Sequence, residues 1–258
     1  MTVTNNAYEK DGKTYDRVSK IINQIQYLPL QWPANMAVDY MLENIDFTHT
    51  SSNTYERDPD TDHIYLSPMP YVEFSGKMSE ARVAYKTYTD SEREIGQIVH
   101  ANIADTWSGK YTTDLPVIPE DDEIRNAIKG FYQFQGMYKP RPIFWEQPLY
   151  SEKKMIAGTP DLYADLWLPG KRRPGKFIID FKVSPRIYPQ SILQLAAYDY
   201  MLREAYSGHH KCDGAAIVRL DKEQPKHQVK FYSRADLCKA TTRFMLLLKY
   251  YRLSRKKK

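Results

Sequence analysis

The stretch Phe177-Ile-Ile-Asp-Phe-Lys-Val183 constrains the fold more than any other part of the chain. The run is apolar on both sides of its acid, so even its charges sit at a buried position. With the order of elements along the chain, this suggests a mixed sheet covered by helices. A chain of 258 residues with 42% hydrophobic content is long enough to supply that cover around one large α/β core.

The remaining pattern is consistent with such a sheet. Tyr15 to Gln24 reads as a strand or short helix, and Pro33 to Glu43 as a helix that can bury Met36, Val38, Met41 and Leu42. Residues 45–70 are crowded with Thr, Ser, Asn, Asp and Pro and read as a polar excursion. The expected division is a segment over residues 1–75 that packs on a core over residues 76–258. Met78 to Tyr88 and Glu92 to Trp107 read as two helices, the second opened by a Ser91/Glu94 capping box and ended by Gly109, with Ile95, Val99 and Ile103 on one buried stripe. Asp121 to Tyr138 is a further helix. Strands are expected over Ile143 to Tyr150, Ile156 to Leu168 and Lys176 to Val183, then a helix over Pro189 to Tyr206 capped by Gly208. A hairpin of Ala215 to Leu220 with Gln228 to Tyr232 follows, and Ser233 with Asp236 opens a last helix.

Two acids in this order of elements fall opposite one another. If the hairpin around Gly170 and Lys171 is symmetrical, Asp161 faces Asp180, with the two backbones roughly 5 Å apart. Like charges so close repel, and the flanking Ile178, Ile179, Phe181 and Val183 offer no relief. A bound cation would offset the repulsion, and hard oxygen ligands favour Mg²⁺ or Mn²⁺. Lys182 projects to the same face as Asp180. The plainer reading, an ion pair at an exposed sheet edge, fits poorly with charges set among apolar neighbours.

These residues resemble the PD-(D/E)xK nuclease superfamily, and within it the RecB-like and phage exonuclease branch. Pro160-Asp161 and Asp180-Phe181-Lys182 carry the likeness. Ile95-Gly96-Gln97-Ile98-Val99-His100 is similar to that branch's upstream helix motif, and Gln194-Leu195-Ala196-Ala197-Tyr198 to its Gln-x-x-x-Tyr motif. Tyr15-Asp16-Arg17-Val18-Ser19 resembles the opening strand of phage members. The match runs over about residues 90 to 206. It departs from the pattern at Gln97, where the family often has Thr, and at Ala104, where an acid is common and Asp105 stands next door.

The resemblance implies a restriction-endonuclease-like α/β fold, a mixed sheet flanked by helices with an N-terminal helical extension. It implies a metal-dependent DNA nuclease, an exonuclease of recombination, repair or phage replication, with an endonuclease or a non-catalytic DNA-binding module as alternatives. Asp161, Asp180 and Lys182 would be catalytic. His100, Glu146 and the Phe181 carbonyl would join the two acids as metal ligands. Without the family motif His100 reads more simply as a partly buried core histidine, and Glu146 equally well as a surface acid. Gln194 and Tyr198, one turn apart on a helix, would steady Lys182 or touch DNA. Ser184, Ser19, Lys153, Arg172 and Arg173 are candidate phosphate contacts, although turn solubility explains the two arginines as well. The implied partners are DNA and a single-strand annealing or recombination protein, and an oligomer is compatible with the chain.

Cys212 and Cys238 are too few for the four-cysteine iron-sulfur cluster of one subgroup or for a disulfide framework. His209, His210 and Cys212 could approach a metal, but a surface loop explains them more simply. The net charge of +5 is uneven: residues 239–258 hold eight basic residues and no acid, a distribution that attracts a polyanion. No apolar run reaches membrane-spanning length and the first residues lack a signal-peptide pattern, so a cytoplasmic protein is expected.

Overall fold

The structure, a computed structural model, describes residues 2–3, 7–24, 55–57, 64–66, 71–108, 120–206 and 212–255. Residues 1–26 and 95–258 form one compact unit and residues 27–94 a second. The division therefore does not fall at residue 75: the first strands belong with the large unit.

The main sheet of the large unit contains β6 (Arg141–Trp145), β9 (Leu162–Leu166), β10 (Gly175–Lys182), β11 (Gly214–Leu220) and β12 (His227–Ser233), in the order β12-β11-β10-β9-β6. Only β10 and β11 run parallel. A parallel pair needs a crossover, which α4 (Ser191–Ala205) supplies. β10 is central, and its side chains divide between two cores. Ile178 packs with Val18, Ile217, Leu195 and Phe244, whereas Phe177, Ile179 and Phe181 pack with Val99, Phe131, Phe134 and Val218. The first core lies under α1 (Val18–Ile22), α4 and α5 (Arg234–Arg255), the second under α3 (Asp122–Tyr138) and the later turns of α2 (Tyr71–Trp107). Burying one such apolar side chain stabilises by about 1.5–3 kcal/mol, so these alternating positions are what set the strand's register.

A second sheet runs β1 (Thr2–Val3), β2 (Ala7–Lys10), β3 (Lys13–Arg17), β8 (Ile156–Gly158), β7 (Leu149–Ser151), with β3 parallel to β8. Tyr8 and Tyr15 are buried against Ala157 and Tyr150. Asp16 takes both Arg252 and Arg255, and Arg252 also donates to the carbonyl of Lys154. Two of the eight terminal cations are thus used to hold the chain's two ends together.

Several elements differ from expectation. The N-terminal extension is a β-hairpin followed by a five-residue helix rather than helical throughout. The helix expected over residues 33–43 lies outside the described residues, as do Gly109, Gly208, His209 and His210. Within the polar excursion, β4 (Tyr55–Arg57) and β5 (Ile64–Leu66) pair antiparallel. Residues 71–107 are one helix, not two. No Gly or Pro separates the two expected halves, Thr89-Asp90-Ser91 costs only a few tenths of a kcal/mol per residue in a helix, and Arg93 pairs with Asp90 on the helix surface. The cap of α5 is as expected, Ser233 and Asp236 bonding each other's backbone N–H, and α3 is opened by Asp121, which accepts from the Ile124 N–H at 3.0 Å.

The strand expected over residues 143–150 is broken into β6 and β7, and that over 156–168 into β8 and β9. Both breaks have a local cause. Glu146 has φ 45° and is followed closely by Pro148, while Pro160 has no N–H to give a ladder. The two breaks lie side by side, joined by the Glu146 N–H donating to the Asp161 carbonyl at 3.2 Å. At this seam the paired strands leave the main sheet and enter the second.

Candidate metal centre and its lysine

The β9–β10 register is the one the symmetrical hairpin demands: Leu166 faces Gly175 and Leu162 faces Ile179. Asp161 and Asp180 follow as the next residues, and here the ladder ends. Instead of a backbone partner, the Phe181 N–H finds the Asp161 carboxylate, donating to Oδ2 at 2.6 Å. That bond, with the Glu146 N–H on the Asp161 carbonyl, fixes the residue from two sides.

Three side chains converge on the seam. His100, on α2 one residue past buried Val99, brings Nδ1 to 3.6 Å from Asp161 Oδ1. Glu146 completes the group, in which one ligand-capable atom from each of His100, Glu146 and Asp161 lies within 4.8 Å of the other two. Each arrives by different means: His100 by the buried stripe of α2, Asp161 by the hairpin register, Glu146 by its positive φ.

The electrostatics of the group are strained. Burial, then the neighbouring Asp180, pushes the carboxyl of Asp161 up to about 6, with His100 opposing. Withdrawal from water and the charge of Asp161 push Glu146 up to about 7. Glu146 is exposed as a whole residue, so solvent tempers its shift. Two carboxylates and an imidazole nitrogen in mutual reach, each acid resisting its charge, form a donor set that a divalent cation fits.

Asp180 stands apart from this group. It is 1% exposed, and its Oδ2 lies 2.7 Å from Lys182 Nζ. A carboxylate so desolvated requires a counter-charge, and the side chain two residues on, projecting to the same face, provides it. Burial by itself lowers the Lys182 pKa, but Asp180 and Asp161 together hold it above its ordinary value, so the side chain is an ammonium. Lys182 Nζ also donates to Gln194 Oε1 at 3.2 Å, and Gln194 Nε2 to the Tyr198 hydroxyl at 2.8 Å. Burial pushes the Tyr198 pKa upward, so its hydroxyl stays neutral. The expectation that Gln194 and Tyr198 flank Lys182 thus has a geometric form, a three-member chain along one face of α4. Phe181, expected to offer its carbonyl, contributes its N–H to Asp161 and buries its ring against Phe131 and Phe134.

The candidate phosphate contacts are dispersed. Arg172 and Arg173 are exposed in the β9–β10 turn, beyond the end of β9, which itself lies roughly 16 Å along the strand from Asp161. The Ser184 hydroxyl donates to the Arg186 carbonyl at 2.9 Å. Ser19 is exposed in α1, and Lys153 is exposed after β7.

Two contacts escaped the sequence reading. A Cβ on Gly158 would lie 2.7 Å from Tyr198 Cε1, so the glycine is the seat of that ring. The Tyr8 hydroxyl bonds Thr159 Oγ1 at 3.0 Å, tying the N-terminal hairpin to the segment that carries Asp161. The signal for Gly158 was its place in Gly158-Thr-Pro-Asp161; for Tyr8, 151 residues from its partner, there was none.

No family model and no curated protein matches the chain. Among solved structures similar to it, one described as the crystal structure of SSO0001 is 12% identical, with 93% of this chain and 78% of that chain covered and a TM-score of 0.32. A superposition at that level carries no argument about activity. No helix among the described residues is long and apolar enough to cross a membrane.

Proposed function

We propose that the chain is a divalent-metal-dependent DNA nuclease of restriction-endonuclease-like fold, acting as an exonuclease. The observation that carries this reading is the convergence of His100, Glu146 and Asp161 within 4.8 Å, beside an ammonium held by Asp180 and Gln194. A cation in that group offsets carboxylate charge that burial, reinforced by the neighbouring acids, disfavours, and the mixed oxygen and nitrogen donors suit Mg²⁺ or Mn²⁺. When bound, such an ion supplies a Lewis acid for a phosphoryl oxygen and acidifies water.

The chain's own residues divide the remaining work. Lys182, kept protonated by two carboxylates, offsets the negative charge that grows on the phosphodiester in the transition state. Its raised pKa fits charge stabilisation and removes it as the base. Gln194 and Tyr198 hold the ammonium in one rotamer, so little reorganisation is needed during the reaction. The preference for DNA, and for ends, comes from the resemblance carried by Pro160-Asp161, Asp180-Phe181-Lys182, the His100 helix and the Gln194/Tyr198 pair.

The test is incubation of labelled linear and covalently closed DNA with Mg²⁺, with Mn²⁺ or with EDTA. Linear DNA is degraded with either metal, the closed circle survives, and EDTA stops the reaction; Asp161→Asn lowers the rate at least about 10³-fold, the size of a lost electrostatic element. Degradation that persists in EDTA or in Asp161→Asn would sink the proposal, and cutting of the circle would make the enzyme an endonuclease.

A further inference from the structure

We infer that the groove along β7, which opens beside Glu146, binds a single strand of nucleic acid next to the cut. The inference rests on the nuclease reading above and adds the strand's path to it. The groove has a volume of about 570 Å³ and its lining begins at Gln147, the residue after Glu146, and continues through Tyr150 to Lys153. Its direction follows from the seam: β7 carries the chain away from the metal group into the second sheet.

The charge of the walls favours a polyanion. Four charged side chains line the groove: Lys10, Lys153, Glu152 and Glu204. Both acids are already engaged. Glu152 pairs with Lys13 at 3.2 Å, while Glu204 accepts from the Ser151 hydroxyl at 2.7 Å and the Lys153 backbone N–H at 3.1 Å. The two lysines are different. Lys10 Nζ rests over the Tyr150 ring, 5.0 Å from its centroid, and Lys153 extends to solvent. Among the described residues neither ammonium has a carboxylate in ion-pair reach. With Glu152 offset by Lys13, Lys10 and Lys153 outnumber Glu204 and the walls carry an excess of positive charge, the arrangement that tracks a phosphate backbone.

Size selects the occupant. β7, Leu149–Ser151, runs about 10 Å, the length of roughly three stacked nucleotides at about 3.4 Å each. A duplex, whose major groove alone is about 12 Å wide, does not enter a space of 570 Å³.

The experiment is fluorescence anisotropy of the full chain with a fluorescein-labelled twelve-nucleotide oligo(dT) in EDTA, titrated across salt. Each phosphate contact to a single strand adds about 0.7 to the slope of log affinity against log salt. Lys10→Gln/Lys153→Gln lowers the slope by about 1.4, and at 0.1 M salt, tenfold below a 1 M reference, this is a loss of about 25-fold. Lys153→Gln alone lowers it by about 0.7, which guards against any effect of Lys10 on the packing of Tyr150. Lys129→Gln, exposed on α3 and outside the groove lining, leaves the slope unchanged. The inference is overturned if the groove variants keep the wild-type slope, or if Lys129→Gln lowers it as much as Lys153→Gln. Hydrolysis of bis(p-nitrophenyl) phosphate with Mn²⁺, a diester too small to use the groove, separates the two readings. If the wild type cleaves it and DNA while the slopes do not move, the groove falls and the nuclease stands. If slopes move but no diester is cleaved, the groove stands and the nuclease falls.

Discussion

Replacing Gly158 by Ala tests whether Tyr198 links the two halves of the site. The added Cβ would meet Tyr198 Cε1 at 2.7 Å and Val18 Cβ and Cγ2 at 3.4 Å. The ring cannot swing into solvent, because Tyr198 is 3% exposed and packed in the core. Overpacking of this kind costs about 1–3 kcal/mol, and at about 2–4 °C per kcal/mol for a chain of this size the Tm falls by about 4–8 °C at mid-range. The ring's displacement also moves its hydroxyl, the acceptor for Gln194, and with it the Lys182 ammonium. A misplacement near 1 Å costs roughly 10²-fold in rate. Calorimetry and DNA cleavage read the two effects separately, and Gly158→Ala/Tyr198→Leu sets them apart. The smaller side chain relieves the clash, so the pair is more stable than the sum of the single losses by about 1 kcal/mol or more, yet cleavage stays low because Gln194 has lost its partner. An unchanged Tm in Gly158→Ala, or strictly additive losses, would refute the coupling.

Mn²⁺ affinity followed by calorimetry falls as pH drops through about 7 and then about 6, because Glu146 and Asp161 must both be ionised to bind it; affinity that is flat from pH 8 to 5 rejects the ligand set. In the metal-free protein the same raised values mean that charging these acids costs more folded than unfolded, so their contribution to stability is lost as pH rises from about 4 through 7. The difference in Tm between wild type and Glu146→Gln/Asp161→Asn should shrink or invert across that window, and a difference growing with pH contradicts it. Lys182→Ala leaves Asp180 buried without its counter-charge and lowers stability by up to about 3 kcal/mol, whereas Asp180→Asn/Lys182→Met recovers most of that stability and no cleavage; equal Tm values for both variants would argue against the pair. Asp199, fully buried and bound by Arg234, Arg203 and the Cys212 thiol, costs about 3 kcal/mol when changed to Ala, visible as a Tm drop of about 6–12 °C.

The elements legible from the chain are those whose cause is local. The apolar run of Phe177 to Val183 marked a buried strand, and the hairpin symmetry specified its register down to Leu162 opposite Ile179. Asp121 and the Ser233/Asp236 pair marked helix starts because a cap is a contact within one turn. The missed features depend on pairings distant in sequence. A strand near Tyr15 was legible, but nothing in it announces that it runs parallel to β8, because that neighbour lies about 140 residues away. The breaks at Glu146 and Pro160 had a signal in the flanking prolines, but only their adjacency in the folded chain makes them one seam.

The geometry of the candidate site was legible for the same reason. Asp161, Asp180 and Lys182 lie together because strand periodicity places them, and periodicity cannot say which charges partner which. Two carboxylates set opposite each other leave two ways to offset their repulsion, an external cation or an internal one. The structure shows the internal one: Lys182 lies 2.7 Å from Asp180, the more deeply buried, while Asp161 turns toward His100 and Glu146, where the proposed cation would sit. That division follows from desolvation. A carboxylate 1% exposed cannot wait for a dissociable ion, so it holds a covalently tethered ammonium, while one 12% exposed, at the mouth of the seam, can exchange its counter-charge with solvent. The exchangeable position is the one that a substrate-bridging cation requires.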